Sequence, residues 1–226
     1  MEQLQAAGQL MGTVLMVVAP VAPYVLQAAE MRKENTSEGF SALVCLILLV
    51  ANVLRIAFWF GKAFDVSLLW QAVLMIICQL AMLRLWHGLK PASGLFRHGS
   101  DFSLGNYFSN FWAWDDFNVF VATIAAFIAV VAGATWLFMS SVVFVETIGF
   151  LALSSEACLG VPQVISNHQR QSTSGLSMGM IGGWFLGDGA KTVFFLTVGA
   201  PFQFLMCGIV QLAIDCVIVF QIIKYR

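Results

Sequence analysis

The sequence predicts an all-α integral membrane protein: seven transmembrane helices arranged as two parallel three-helix repeats joined by a linker helix, a 3+1+3 plan. Three observations carry that expectation. The chain is 60% hydrophobic and only 10% charged over 226 residues, with mean hydropathy +0.86, whereas a soluble domain carries roughly 25% charged residues. Too little polar surface is available to face water, so the solvent of this chain is lipid. Its apolar runs are continuous and about 20 residues long, which suits helices; a membrane barrel alternates at period two. Finally, one spacing of polar residues occurs twice.

The spans read in order as ~9–29, ~40–61, ~67–87, ~117–139, ~142–165, ~177–198 and ~201–223, each long enough to cross hydrocarbon at 1.5 Å per residue. The connections after the second, fourth and sixth spans are tight. The long one, 88–115, holds Gly88, Pro91, Ser93, Gly94, Gly99, Ser100 and Gly105, then Tyr107, Phe108, Phe111, Trp112 and Trp114. It reads as an aqueous linker running into an interfacial aromatic belt. The expected organisation is a first three-helix repeat over 9–87, a linker over 88–116, a linker helix over 117–139 and a second repeat over 142–223.

Basic residues set the orientation. With the N-terminus lumenal, the cytoplasmic loops hold Arg32, Lys33, Lys90, Arg97, Arg170, Lys224 and Arg226, and the other side holds Lys62. The positive-inside bias therefore predicts a lumenal N-terminus and a cytoplasmic C-terminus. Met1 to Gly12 lacks a basic n-region and leads into the first span, so no cleavable signal peptide is expected.

Net charge is −1 with no charge block, which argues against a nucleic-acid partner. Cys45, Cys78, Cys158, Cys207 and Cys216 all fall in apolar runs without a CxxC or a Cys/His cluster. They read as small packing residues rather than metal ligands or disulfides. No nucleophile–base arrangement, phosphate loop or metal motif is present, so neither an enzyme nor a cofactor is expected. His87, His98 and His168 sit at span ends or in loops and read as interfacial.

The repeat is fixed by two segments. Gln27 to Gly39 and Gln163 to Gly175 each span 12 residues, at an offset of 136. Carried forward, Asn52 falls on Asp188 and Arg55 on Lys191, polar positions in otherwise apolar helices. In the next helix Gln71 and Gln79 match Gln203 and Gln211 at an offset of 132, as a shorter loop would give. Three spans is an odd number, so a second unit joined directly would be inverted; the fourth span restores the direction and makes the repeats parallel.

Pro162-Gln163, followed by Ser172-Thr173-Ser174-Gly175-Leu176-Ser177, resembles the PQ-loop signature. The 3+1+3 plan is similar to the family that includes SWEET proteins and lysosomal amino-acid exporters. Stretches 41–70 and 144–177 resemble in particular the PQ-loop repeat-containing solute carriers. The first repeat departs from the motif, with Leu26-Gln27 in place of Pro-Gln and Pro23 three residues earlier. Cystine-exporting relatives carry an acidic residue nine positions after the motif glycine, where this chain has Trp184; that argues against cystine. The resemblance implies endosomal and trans-Golgi membranes, and phospholipid translocation between leaflets.

Several intramembrane residues are candidates for a translocation path. Asp188 and Lys191 are three apart on one helix face and can partly neutralise each other. Asn52 and Arg55 occupy the equivalent face of the other repeat. The set reads either as a polar path for a head group, ion or small solute, or as interhelical glue. Glu146 and Glu156 share the fifth span, with Arg55 or Lys191 as possible partners from other helices. Each carboxyl is a proton-coupling site or a structural salt bridge. Asp215 lies four residues from Gln211 on one face. Pro162 is expected to kink the fifth span while Gln163 offers an amide to the freed carbonyl, a hinge or a fixed bend; Pro20 and Pro23 play that part in the first span, whose motif position is Gln27. Gly182, Gly183, Gly187 and Gly189 predict close helix packing, or else an openable seam. Trp59, Trp70, Trp86, Trp112, Trp114 and Trp136 read as interface anchors, and Trp184 as a cavity residue.

Three functions follow. A phospholipid scramblase would have membrane lipids as partners. A proton-coupled, amino-acid-like solute transporter would bind a small solute and a proton. A trafficking receptor would carry no flux. Oligomerisation is compatible with all three.

Overall fold

The computed structural model describes residues 11–37, 40–89, 111–112, 114, 116–173 and 178–225. Among these residues there are seven helices and no strand. They are α1 (Met11–Glu34), α2 (Ala42–Gly61), α3 (Val66–Leu89), α4 (Phe117–Phe138), α5 (Val142–Arg170), α6 (Met178–Thr197) and α7 (Phe202–Lys224). Six are long and apolar enough to cross a bilayer. The exception, α6, is also 20 residues long, but five glycines, Asp188 and Lys191 dilute its hydropathy. The expected span limits agree with the helices to within a few residues, except that α1 and α5 each run five residues further at their C-terminal ends. Most of the 88–115 linker lies outside the described residues, as do the motif glycines Gly39 and Gly175.

The C-terminal ends of α1 and α5 are built alike. Asn35 caps α1 and Gln171 caps α5, both in the left-handed region at φ 51° and 48°. These positions are 136 apart, the offset read from the sequence. One residue on, Thr36 N–H donates to the Met31 carbonyl and Ser172 N–H to the Asn167 carbonyl, again 136 apart. Such 6→1 bonds satisfy carbonyls that a helix end leaves open.

Both helices are also interrupted at mid-length. A 3-10 turn covers Ala19–Val21 in α1 and Cys158–Gly160 in α5. In each the α-helix resumes with a proline in its first turn, Pro23 and Pro162 respectively. A proline there forfeits no intrahelical bond, because first-turn N–H groups have no partner inside the helix. Pro20 and Pro23 thus mark a break in the first copy although its Pro-Gln dipeptide is missing.

Contacts group the helices. α3 lies against α1 and α2, and α7 against α5 and α6; α4 packs on α2. Beside α4, Trp112, Trp114 and Phe120 form a buried cluster of edge-on rings. Trp112 Nε1 donates to the Ala42 carbonyl at 2.8 Å. Trp112 and Trp114 therefore act as internal packing, not as the interface anchors expected, because their rings fill the space between α4 and the start of α2. Trp70 and Trp136 are exposed, as anchors are.

Candidate functional site

The middle of the bundle holds an ionic cluster built from both copies. Arg55 on α2 donates from Nη2 to Glu156 Oε2, and Lys191 on α6 donates from Nζ to Glu156 Oε1 at 2.6 Å. The two cations stand 136 residues apart, the offset read from the sequence, and a single carboxylate takes both. Glu156 sits at the middle of α5, immediately before its 3-10 turn. The equivalent position in α1 is Pro20, so the first copy supplies no second carboxylate. Lys191 also donates to Gln211 Oε1 on α7 at 3.1 Å. Arg55 is 1% exposed and packs over the Phe204 ring; Lys191 lies over Phe195.

Two acidic side chains adjoin this cluster. Asp188, one turn from Lys191 on α6, faces Asp215 on α7. Lys191 makes its ion pair with Glu156 rather than with Asp188, since the cation points across to α5. Asn52 turns back on its own helix and donates to the Leu48 carbonyl at 2.8 Å. Some buried polar atoms at this level have no partner: Arg55 Nε, Asp215 Oδ2 and Asn52 Oδ1.

The remaining candidates lie elsewhere. Glu146 sits near the start of α5, half-exposed, where Lys62 donates to it at 2.6 Å and Gln203 Nε2 donates to its other oxygen. This tie joins the α2–α3 turn, α5 and α7 at one end of the bundle. At the opposite end Gln163 donates to Asn167 Oδ1 at 2.8 Å, and Asn167 to Gln221 Oε1 at 3.0 Å. Gln221 donates on to the Val164 carbonyl. The motif glutamine therefore ties α5 to α7 through side chains instead of serving the kink carbonyl. Asn167 and Gln221 escaped the sequence reading; the only available signal was Asn167 standing four residues from Gln163. Trp184 is exposed on α6 and Gln27 half-buried on α1.

Interhelical glycines also lie where the sequence did not point. A Cβ on Gly149 would sit 2.7 Å from the Phe58 ring, and one on Gly61 2.4 Å from Val145. Both glycines let α2 and α5 approach, and that interface is the most extensive between any two helices. By contrast, nothing lies within 4 Å of a Cβ on Gly182, Gly183, Gly187 or Gly189. Of the two expectations for the α6 glycines, close packing fails, because none of these four positions meets a neighbour among the described residues.

That contrast extends to whole seams. In the repeat register α2 corresponds to α6 and α5 to α1, so the α2–α5 seam has α6–α1 as its counterpart. Among the described residues, α1 and α6 share no substantial interface. Along their whole described lengths α6 buries only Lys191 and Phe195, which face α5 and α7, and α1 only Met31. The ionic cluster is thus walled on the α2–α5 side, while among the described residues no comparable contact joins α6 to α1.

Residues 144–204 match the PQ loop repeat family. Over 99 residues the chain is 28% identical to Scramblase ANY1 of Saccharomyces cerevisiae, a stretch that makes up 43% of this chain and 24% of the yeast protein. The chain spans about a quarter of that relative. The fold resembles a solved eukaryotic SWEET transporter with a TM-score of 0.62 at 15% identity, covering 97% of this chain and 94% of that one. Both named likenesses are to translocators rather than enzymes.

Proposed function

We propose that this chain, a member of the PQ-loop family, moves phospholipid between the leaflets of a membrane, with its two three-helix units as parallel repeats. The observation that carries the reading is the joint presence of a buried ionic cluster joining α2, α5 and α6 and of an α1–α6 seam without a substantial interface among the described residues. A lipid crossing a bilayer must take its polar head group through hydrocarbon while its tails stay in it. That requires a polar lining open sideways, not a closed pore. Arg55, Glu156, Lys191, Asp188 and Asp215 supply the lining, and the α1–α6 side supplies the sideways access. The named activity of the yeast relative agrees with it. An endosomal or trans-Golgi address with a lumenal N-terminus goes with this reading; Arg32, Lys33, Arg170 and Lys224 then all lie at the cytoplasmic end.

The test is reconstitution of purified protein into liposomes carrying a tail-labelled fluorescent lipid, with dithionite added outside. Scrambling bleaches signal beyond the outer-leaflet share. Bleaching that stops at that share in protein-containing vesicles overturns the reading.

One observation favours a second reading, a proton-coupled solute transporter: two carboxyls, Asp188 and Asp215, face each other at mid-membrane. Two such groups that close strongly disfavour a double negative charge. Solute uptake that depends on a pH gradient, in vesicles showing no lipid exchange, would select it.

A further inference from the structure

We propose that the mid-membrane cluster is a binding site for a zwitterionic head group, its phosphate on the Arg55–Lys191 side and its ammonium on the Asp188–Asp215 side. This rests on the translocation reading and names the substrate class for it.

The charges are segregated along the axes of α6 and α7. Lys191 and Asp188 are three residues apart on α6, a rise of about 4.5 Å. Gln211 and Asp215, four apart on α7, run alongside in the opposite direction, so Gln211 is level with Lys191 and Asp215 with Asp188. A cationic layer and an anionic layer are therefore stacked about one helical turn apart. The two-carbon link between phosphate and ammonium in a zwitterionic phospholipid spans a similar length.

The unpartnered atoms agree in kind and place. Glu156 takes one Nη2 donor of Arg55 and leaves its Nε without a partner, although the residue is almost wholly buried. Lys191 has three donors and uses two, on Glu156 and Gln211. A phosphate can take the spare donors without displacing Glu156. In the acidic layer Asp215 Oδ2 is a buried acceptor without a donor; a primary ammonium would donate to it, and a quaternary ammonium, which has no N–H, would meet it through charge alone. A buried donor and a buried acceptor each left open are costly, and a purely anionic or purely cationic ligand would satisfy only one of them.

Glu156 is a positioning residue in this arrangement. It holds two like charges side by side where they would otherwise repel, so both present donors to one phosphate. Entry is from the α6 face that carries exposed Trp184, one helical turn from half-buried Asp188.

The experiment compares tail-labelled phosphatidylcholine, phosphatidylethanolamine and phosphatidylglycerol in the same reconstituted vesicles, and in parallel follows uptake of soluble phosphocholine. The two zwitterionic lipids should cross about tenfold faster than phosphatidylglycerol, the size of effect that loss of one charge-assisted contact gives. In the Asp188→Asn/Asp215→Asn protein the ratio should fall to near one, and Asp215→Glu should restore part of it. Equal rates for all three lipids in the unaltered protein overturn the inference while leaving lipid translocation standing, and that comparison needs no variant to fold. A ratio unchanged in the folded double variant also overturns it. Flux of soluble phosphocholine without lipid exchange would show that the ligand is a free zwitterion and sink the head-group assignment; no lipid movement of any kind would sink the translocation reading with it.

Discussion

In the register of the sequence repeat the α2–α5 seam and the α1–α6 seam are counterparts, yet among the described residues they differ in almost every physical respect. On the first, Gly61 and Gly149 admit Val145 and Phe58, Arg55 reaches across to Glu156, and Lys62 ties to Glu146. On the second, α6 offers glycines facing open space and exposed Trp184, Phe185 and Leu186, while α1 has Pro20 where α5 has Glu156. In a membrane no hydrophobic force distinguishes a neighbouring helix from lipid, so close packing and polar contacts decide which helices stay together. The closed seam has both, and among the described residues the other shows neither to any substantial extent. A protein assembled this way has one edge that holds its halves together and one edge free to part.

The largest effect should come from removing the carboxylate that joins the copies. Glu156→Gln keeps the shape but leaves Arg55 and Lys191 as neighbouring buried cations without a counter-charge. Breaking a buried pair in this manner costs about 3–5 kcal/mol. Thermal unfolding in detergent micelles should show a far larger drop for Glu156→Gln than for Glu146→Gln, whose carboxylate is half-exposed. Equal drops would mean that the central cluster does not hold the closed seam.

Glycine substitutions separate the seams next. Gly149→Ala puts a methyl 2.7 Å from the ring of Phe58, itself buried and unable to yield. Overpacking of this kind costs about 1–3 kcal/mol. Gly187→Ala meets nothing and should gain roughly 0.5–1 kcal/mol from helix propensity. The opposite signs are the test: destabilisation at both positions would mean that the α6 face is covered in the membrane and that the second seam is closed as well.

How much of this was legible follows from where the information lies. Apolar runs gave the seven helices nearly to their ends, because hydropathy and length are local properties. The offset of 136 was legible too, and it recurs in the caps at Asn35 and Gln171, positions that carry no motif of their own. The partners of Glu156 were readable only as a choice between Arg55 and Lys191; that one carboxylate takes both depends on α2, α5 and α6 converging, which no single helix records. The packing glycines were misplaced for the same reason. The glycines of α6 stand out in the sequence, whereas Gly61 and Gly149 look ordinary until α5 is laid on α2. Trp112 and Trp114 were misassigned because an aromatic cluster beside a span looks the same whether it meets head groups or another helix.

The smallest effect should come from the tie at the end of the closed seam. Lys62 and Glu146 are about two-fifths exposed, so solvent screens their attraction, and Lys62→Ala should cost only about 0.2–1 kcal/mol. Raising the salt concentration should shrink that difference, whereas the Glu156→Gln penalty, set inside the bundle, should barely respond. Exchanging the pair, Lys62→Glu with Glu146→Lys, should recover most of the loss in low salt, although Gln203 then faces an ammonium with its carbonyl instead of a carboxylate with its amide. If Lys62→Ala instead destabilised more than Gly149→Ala, the end tie and not the glycine crossing would be what keeps α2 on α5. The closed seam would then depend on a solvent-facing ion pair, and the distinction between a fixed edge and a free edge would become one of ionic conditions rather than of packing.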